Sequence, residues 1–141
     1  MASVTDPEVR EFLTAGTRTG KLAYAGGDGR PLVVPIWFIV EDGVLVFNTG
    51  KATAKGKALA RDPRATLCVD LEEPPYGFVQ VQGDAELSED PGELVRTATA
   101  IAARYMGEDQ AEEFGKRNGV AGELVVRLHP TKVIAVLNAT A

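Results

Sequence analysis

The tightest constraint in this sequence is a short punctuation between two apolar runs. Glu41-Asp42-Gly43 separates Pro31–Val40 from Val44–Asn48. Asp-Gly between hydrophobic segments is the strongest short hairpin signal, because the favoured two-residue turn needs positive φ at its centre. The flanking runs are rich in valine and isoleucine, so they read as antiparallel strands. A further strand, Lys21–Ala25, precedes them across Gly26-Gly27-Asp28-Gly29, whose glycines suit a tight turn. The pattern predicts a three-stranded antiparallel meander.

The remaining elements are flanked by equally local signals. Thr5-Asp6-Pro7-Glu8 has capping-box spacing, and Val9, Phe12 and Leu13 follow at helical intervals, so a helix is expected over Asp6–Ala15. Ala52–Ala60 is rich in alanine and lysine and favours helix, with Asp62-Pro63 as its stop. Arg64–Leu71 and Gly77–Leu87 alternate as strands, and Gly83 inside the second predicts a bulge. Helices are expected from Asp90 to Met106 and over Asp109–Lys116. The last strands are expected at Glu123–Leu128 and Lys132–Leu137, broken at His129-Pro130. Strands are too many for a helical bundle and do not alternate with helices as a doubly wound sheet requires. A meander with glycine corners predicts a mainly β fold, a small barrel with flanking helices.

Composition limits what such a barrel does. The 141 residues suit one domain, 1–141, without an interdomain linker, long enough to bury a core without staples. A net charge of −5 gives no general attraction for nucleic acid or an anionic membrane. The most apolar stretch, Leu32–Val40, is too short to span a bilayer, and Met1–Glu11 has no secretory pattern. With Cys68 alone, no intramolecular disulfide can form, and a cytoplasmic location is expected. One histidine, His129, leaves no metal-ligand set. Ser3 and Ser88 are the only serines and neither sits in a nucleophile elbow, and no dinucleotide fingerprint or P-loop occurs.

Two constellations can carry chemistry. Lys51, Lys55, Lys57, Arg61 and Arg64 cluster within fourteen residues of an otherwise acidic chain. Lys51 and Lys55 are four apart, on one expected helix face, and Lys57 points elsewhere. The segment begins at Thr49-Gly50, where a helix N-terminus would offer free amides to phosphate. The plainer account is a solvated basic helix face. Pro35-Ile36-Trp37-Phe38 is the second: proline marks an edge or bulge, and the sole tryptophan could wall a planar heteroaromatic ligand. Its plainer account is a core or dimer-interface tryptophan. Trp37 and Phe38 should point to opposite sides of their strand, so one fills the barrel and the other needs a different cover.

These residues resemble the pyridoxamine 5'-phosphate oxidase-like split barrels, and within them the flavin/deazaflavin oxidoreductases of actinobacteria. The resemblance rests on Gly29-Arg30-Pro31, Pro35-x-Trp37-Phe38, Val44–Thr49, the run from Lys55 to Ala65, Val79-x-Val81-x-Gly83-x-Ala85-x-Leu87 and Pro130–Val133. It implies a six-stranded antiparallel split β-barrel of the FMN-binding kind, acting as a homodimer. It further implies an oxidoreductase using coenzyme F420, with FMN as the alternative, on a small unsaturated, quinone-like or biliverdin-like tetrapyrrole substrate. Lys55, Lys57 and Lys51 would meet the cofactor phosphate. Pro35, Ile36, Trp37, Asn48 and Thr49 would lie against the ring, Gly50 would belong to the cofactor-binding set at the helix start, and the partner chain would supply other walls. A protein that binds the cofactor without turnover and a haem-binding split barrel are the competing readings. No residue is nominated as the proton donor; Tyr76 is a candidate.

Overall fold

The computed structural model describes residues 1–141. Seven strands form one antiparallel sheet in the order β2-β1-β5-β6-β7-β4-β3. They are β1 (Gly20–Ala25), β2 (Pro31–Ile36), β3 (Ile39–Glu41), β4 (Val44–Gly50), β5 (Arg64–Asp70), β6 (Phe78–Ser88) and β7 (Glu123–Val136). The helices are α1 (Pro7–Thr14), α2 (Ala54–Arg61), α3 (Pro91–Met106) and α4 (Glu108–Asn118). No helix is long and apolar enough to cross a membrane.

Chain connectivity makes this sheet curl. β2 and β3 are its opposite edges, yet only Trp37 and Phe38 separate them in sequence. Ile36 and Ile39 are three peptide steps apart, which an extended chain covers in about 11 Å. The two edges must therefore meet at Trp37-Phe38, while no ladder joins β2 to β3 elsewhere. The result is a split barrel.

The resemblance implies six strands and the sheet has seven: Pro31–Val40 is not one strand but breaks at this crossing, while the last two expected strands are one. The expected break at His129-Pro130 does not occur, and β7 runs through it. Pro130 lies opposite Gly83, where the β6–β7 register shifts between Gln82 and Gly83. A Cβ on Gly83 would come 2.4 Å from the His129 carbonyl oxygen, so glycine is what allows the close approach. The hairpin at Asp42-Gly43 forms as the turn chemistry predicts, with φ of 51° and 76°.

The barrel interior is apolar and closed. Leu22, Phe38, Leu45, Phe47, Leu67, Val69, Val79, Val81, Val126 and Leu128 are all fully buried there. Val9 and Leu13 of α1 belong to the same cluster. The capping box ahead of α1 does not form: Asp6 is the N-cap and its carboxylate accepts from the Ser3 N–H at 2.9 Å. α3 lies outside the barrel, where Leu94 packs on Val46 and Val125. Arg96 of α3 forks onto the Glu41 carboxylate at 2.7 and 3.0 Å, and this hydrogen-bonded pairing holds the Glu41 carboxyl below its usual range.

Candidate cofactor site

Beside the barrel, between β2, β4 and the α3–α4 pair, lies a cavity of about 330 Å3. That is within the size range of small-ligand sites. Pro35, Ile36 and Trp37 come to it from the end of β2 and the crossing. Asn48 comes from β4 and Lys55 from the first turn of α2. Ala98, Ile101 and Ala102 of α3 supply the opposite wall, Phe114 and Asn118 of α4 a third side, and Glu123 opens β7 at the rim.

Strand alternation explains which β4 residues face the cavity. Leu45 and Phe47 point into the barrel, so Val46 and Asn48 point toward α3. The Asn48 side-chain N–H donates to Thr97 Oγ1 at 3.0 Å, which leaves its carbonyl oxygen for the cavity. Thr97 is itself fully buried and donates to the Glu93 carbonyl, so the amide is braced from behind. On α3, Ala98 and Ala102 are one turn apart on one face. Their small side chains leave the hollow that larger ones would fill.

Trp37 and Phe38 do point to opposite sides. Phe38 is fully buried in the barrel, while Trp37 is 44% exposed. The indole stacks on Tyr105 of α3, with ring centroids 4.9 Å apart and planes 5° from parallel. One face of the indole is thus covered, and Trp37 also lines the cavity.

The structure divides the lysines. The expected face shared by Lys51 and Lys55 does not exist, because Lys51 lies three residues ahead of the start of α2 at Ala54. Thr53 is the N-cap, its hydroxyl accepting from the Gly56 N–H at 3.1 Å, so Lys51 precedes the helix. Lys51 instead pairs with Glu89 at 3.1 Å on the surface. Lys51 and Lys57 border a second groove with Gly56, Ala60, Leu87 and Leu124. Only Lys55 opens onto the ring-sized cavity. Thr49 is buried, with its hydroxyl 3.3 Å from that of Thr53, and does not line it. Gly50 underlies α2, since a Cβ on Gly56 would lie 2.2 Å from the Gly50 carbonyl oxygen.

Other candidates lie elsewhere. Arg64 forks onto Asp62 at 3.0 and 2.8 Å, and those hydrogen bonds lower the Asp62 carboxyl to about 2. Tyr76 is half exposed and lines none of these walls. His129 pairs with Glu86 at 2.9 Å on the surface. Sequence reasoning missed the α3–α4 wall and Glu123; the Ala98/Ala102 spacing was the one local sign of a hollow.

The sequence profile of pyridoxamine 5'-phosphate oxidase matches residues 5–137. The chain belongs to that family of split barrels. Its structure is similar to a conserved hypothetical protein of Mycobacterium tuberculosis, Rv2991, at 25% identity and a TM-score of 0.82, covering 96% of this chain and 85% of that one. It is also similar to an F420 reductase, at 25% identity and a TM-score of 0.70, covering 88% of this chain and 94% of the other. The haem storage protein HutZ of Vibrio cholerae shares the fold at 17% identity, with a TM-score of 0.72 over 96% of this chain and 98% of its own. No curated protein matches the sequence.

Proposed function

We infer that this chain is a cofactor-dependent oxidoreductase whose cavity holds the tricyclic ring of coenzyme F420. The observation that carries the reading is the meeting of Trp37, Asn48 and Lys55 around one hollow. The donor set fits the group. The indole and the Pro35–Ile36 segment offer an apolar wall for a planar ring. The free Asn48 carbonyl oxygen is an acceptor for a ring imide N–H. Lys55 supplies a cation for the phosphate, beside the first amides of α2. The bound cofactor would carry the hydride, and the chain binds it, orients it and keeps its ring against a dry wall. The acceptor is then a small unsaturated, quinone-like or tetrapyrrole molecule entering above the ring.

Similarity to an F420 reductase across most of both chains supports the deazaflavin over FMN. Lys57 and Arg61 support it too, since neither has a carboxylate partner within ion-pair distance and a polyanionic tail would provide one. One observation favours FMN: Glu89 and Asp62 already neutralise Lys51 and Arg64, so two charges of the basic cluster are not free for such a tail.

A homodimer completes this reading. Val33 of the edge strand β2 is 70% exposed and Trp37, an even number of residues further on, is 44% exposed, so apolar surface stands uncovered at this edge of the sheet for a second copy to bury. Light scattering should give twice the 15.0 kDa chain mass.

The test of the site is substitution of its phosphate end. Lys55→Ala combined with Lys57→Ala should weaken cofactor binding roughly ten- to a hundredfold, the worth of the one charge-assisted contact of about 1.5–3 kcal/mol that Lys55 makes, with Lys57 on the neighbouring groove adding little. Far-UV circular dichroism should not change. Parental affinity in the double variant would place the phosphate elsewhere.

A further inference from the structure

We propose that Arg104 and Tyr105, at the C-terminal end of α3, are positioning residues that hold Trp37 rigid from behind so that the indole is a preformed wall for the cofactor ring. The proposal rests on reading the cavity as the ring site. Trp37 and Phe38 lie between β2 and β3, where neither residue has a strand partner. A buried backbone without a ladder must find other hydrogen bonds.

For Phe38, α3 provides them. The Phe38 N–H donates to Tyr105 Oη at 3.2 Å, and Arg104 Nη1 donates to the Phe38 carbonyl at 2.6 Å. Both residues also reach the opposite side of the gap. Tyr105 Oη donates to the Arg18 carbonyl at 2.9 Å. Arg104 donates to Gly16 and Leu13 carbonyls at 3.0 and 2.9 Å. The Arg104 guanidinium has no carboxylate partner; its hydrogen bonds go to main-chain carbonyls from the end of α1, the α1–β1 loop and the crossing. It lies 4.8 Å from the ring centroids of both Phe38 and Tyr105.

Consequently the backbone next to Trp37 is clamped, and its indole is stacked on Tyr105. A half-exposed tryptophan with neither restraint would sample several rotamers. A ligand would then have to order it at the moment of binding. Tyr105 stands one turn beyond Ile101 and Ala102 and two turns beyond Ala98 on the same side of α3, so the helix that hollows the cavity also aims its aromatic wall.

Trp37 is the only tryptophan, so its fluorescence reports on this device in the unliganded protein. The experiment compares Tyr105→Leu, Tyr105→Phe and Arg104→Lys with the parent. Two quantities are read. One is Trp37 fluorescence anisotropy without ligand. The other is affinity for F420 and for its phosphate-free ribityl chromophore. Tyr105→Leu should lower the anisotropy and weaken both ligands by the same factor, about fivefold, as expected for loss of one aromatic contact. Arg104→Lys, which loosens the Phe38 carbonyl and leaves the stack, should lower the anisotropy and weaken both ligands equally but by less. An equal loss for both ligands marks a ring effect, whereas Lys55→Ala should affect only the phosphorylated one. Tyr105→Phe keeps the stack and should restore most of the affinity. If Tyr105→Leu fails to fold, Arg104→Lys and Tyr105→Phe decide. Unchanged anisotropy in Arg104→Lys, or unchanged chromophore affinity with lowered anisotropy, overturns the proposal. If the parent binds neither ligand, the reading of the cavity fails, and the anisotropy of the unliganded variants alone decides whether Trp37 is held.

Discussion

The two ends of α3 use the same helix face against the same strands and reach opposite outcomes. At the N-terminal end Leu94 packs onto Val46 and Val125, and the contact is closed. One and two turns later Ala98 and Ala102 occupy that face, and the space between helix and strands is open. β4 shows the same contrast: Val46 faces the closed end and Asn48 the open one. Closed packing and an open hollow thus differ by a few side-chain volumes, not by a change of backbone. The barrel interior repeats the closed rule, with Phe38 and Phe47 filling its middle.

This contrast predicts where substitutions are felt. Truncating the closed region should have the largest effect. Phe47→Ala should cost about 3–5 kcal/mol of stability, through lost burial and an unfilled void, measured by urea unfolding. A cost below that of an exposed substitution would mean the interior is not packed as described.

Filling the open region should do the reverse. Ala102→Leu places extra volume in the hollow, so cofactor affinity should fall at least tenfold, about 1.4 kcal/mol, while unfolding changes little. A protein that tolerates Leu at position 102 with parental affinity would show that the ring lies outside this cavity.

How much of this was legible in the sequence follows from how local each signal is. The Asp42-Gly43 hairpin and the Gly83 bulge were legible because their cause is backbone geometry at one or two residues. The break at Trp37-Phe38 was not, because a run of apolar residues looks alike whether it continues in one ladder or crosses between two edges. Pro130 read as a terminator because proline cannot donate, yet the bulge at Gly83 accommodates it. For the site, Pro35, Ile36, Trp37, Asn48 and Lys55 were named from the chain and line one cavity. Lys51 was misplaced because its four-residue spacing from Lys55 reads as a helix face, whereas Thr53 caps α2 and Lys51 turns to Glu89. The α3–α4 wall, Glu123 and the Arg104 clamp come from contacts distant in sequence, which local pattern cannot show.

The central claim is that the hollow between β4 and α3 receives a deazaflavin ring against Trp37. Fluorescence titration of the ligand-free protein with F420 and with FMN tests it most directly, because a planar chromophore seated there must quench the single tryptophan. The account predicts a colourless protein from a host lacking F420, tighter binding of F420 than of FMN, and Trp37 quenching that saturates with F420 occupancy. Tighter binding of FMN, or F420 binding that leaves Trp37 emission unchanged, would contradict it.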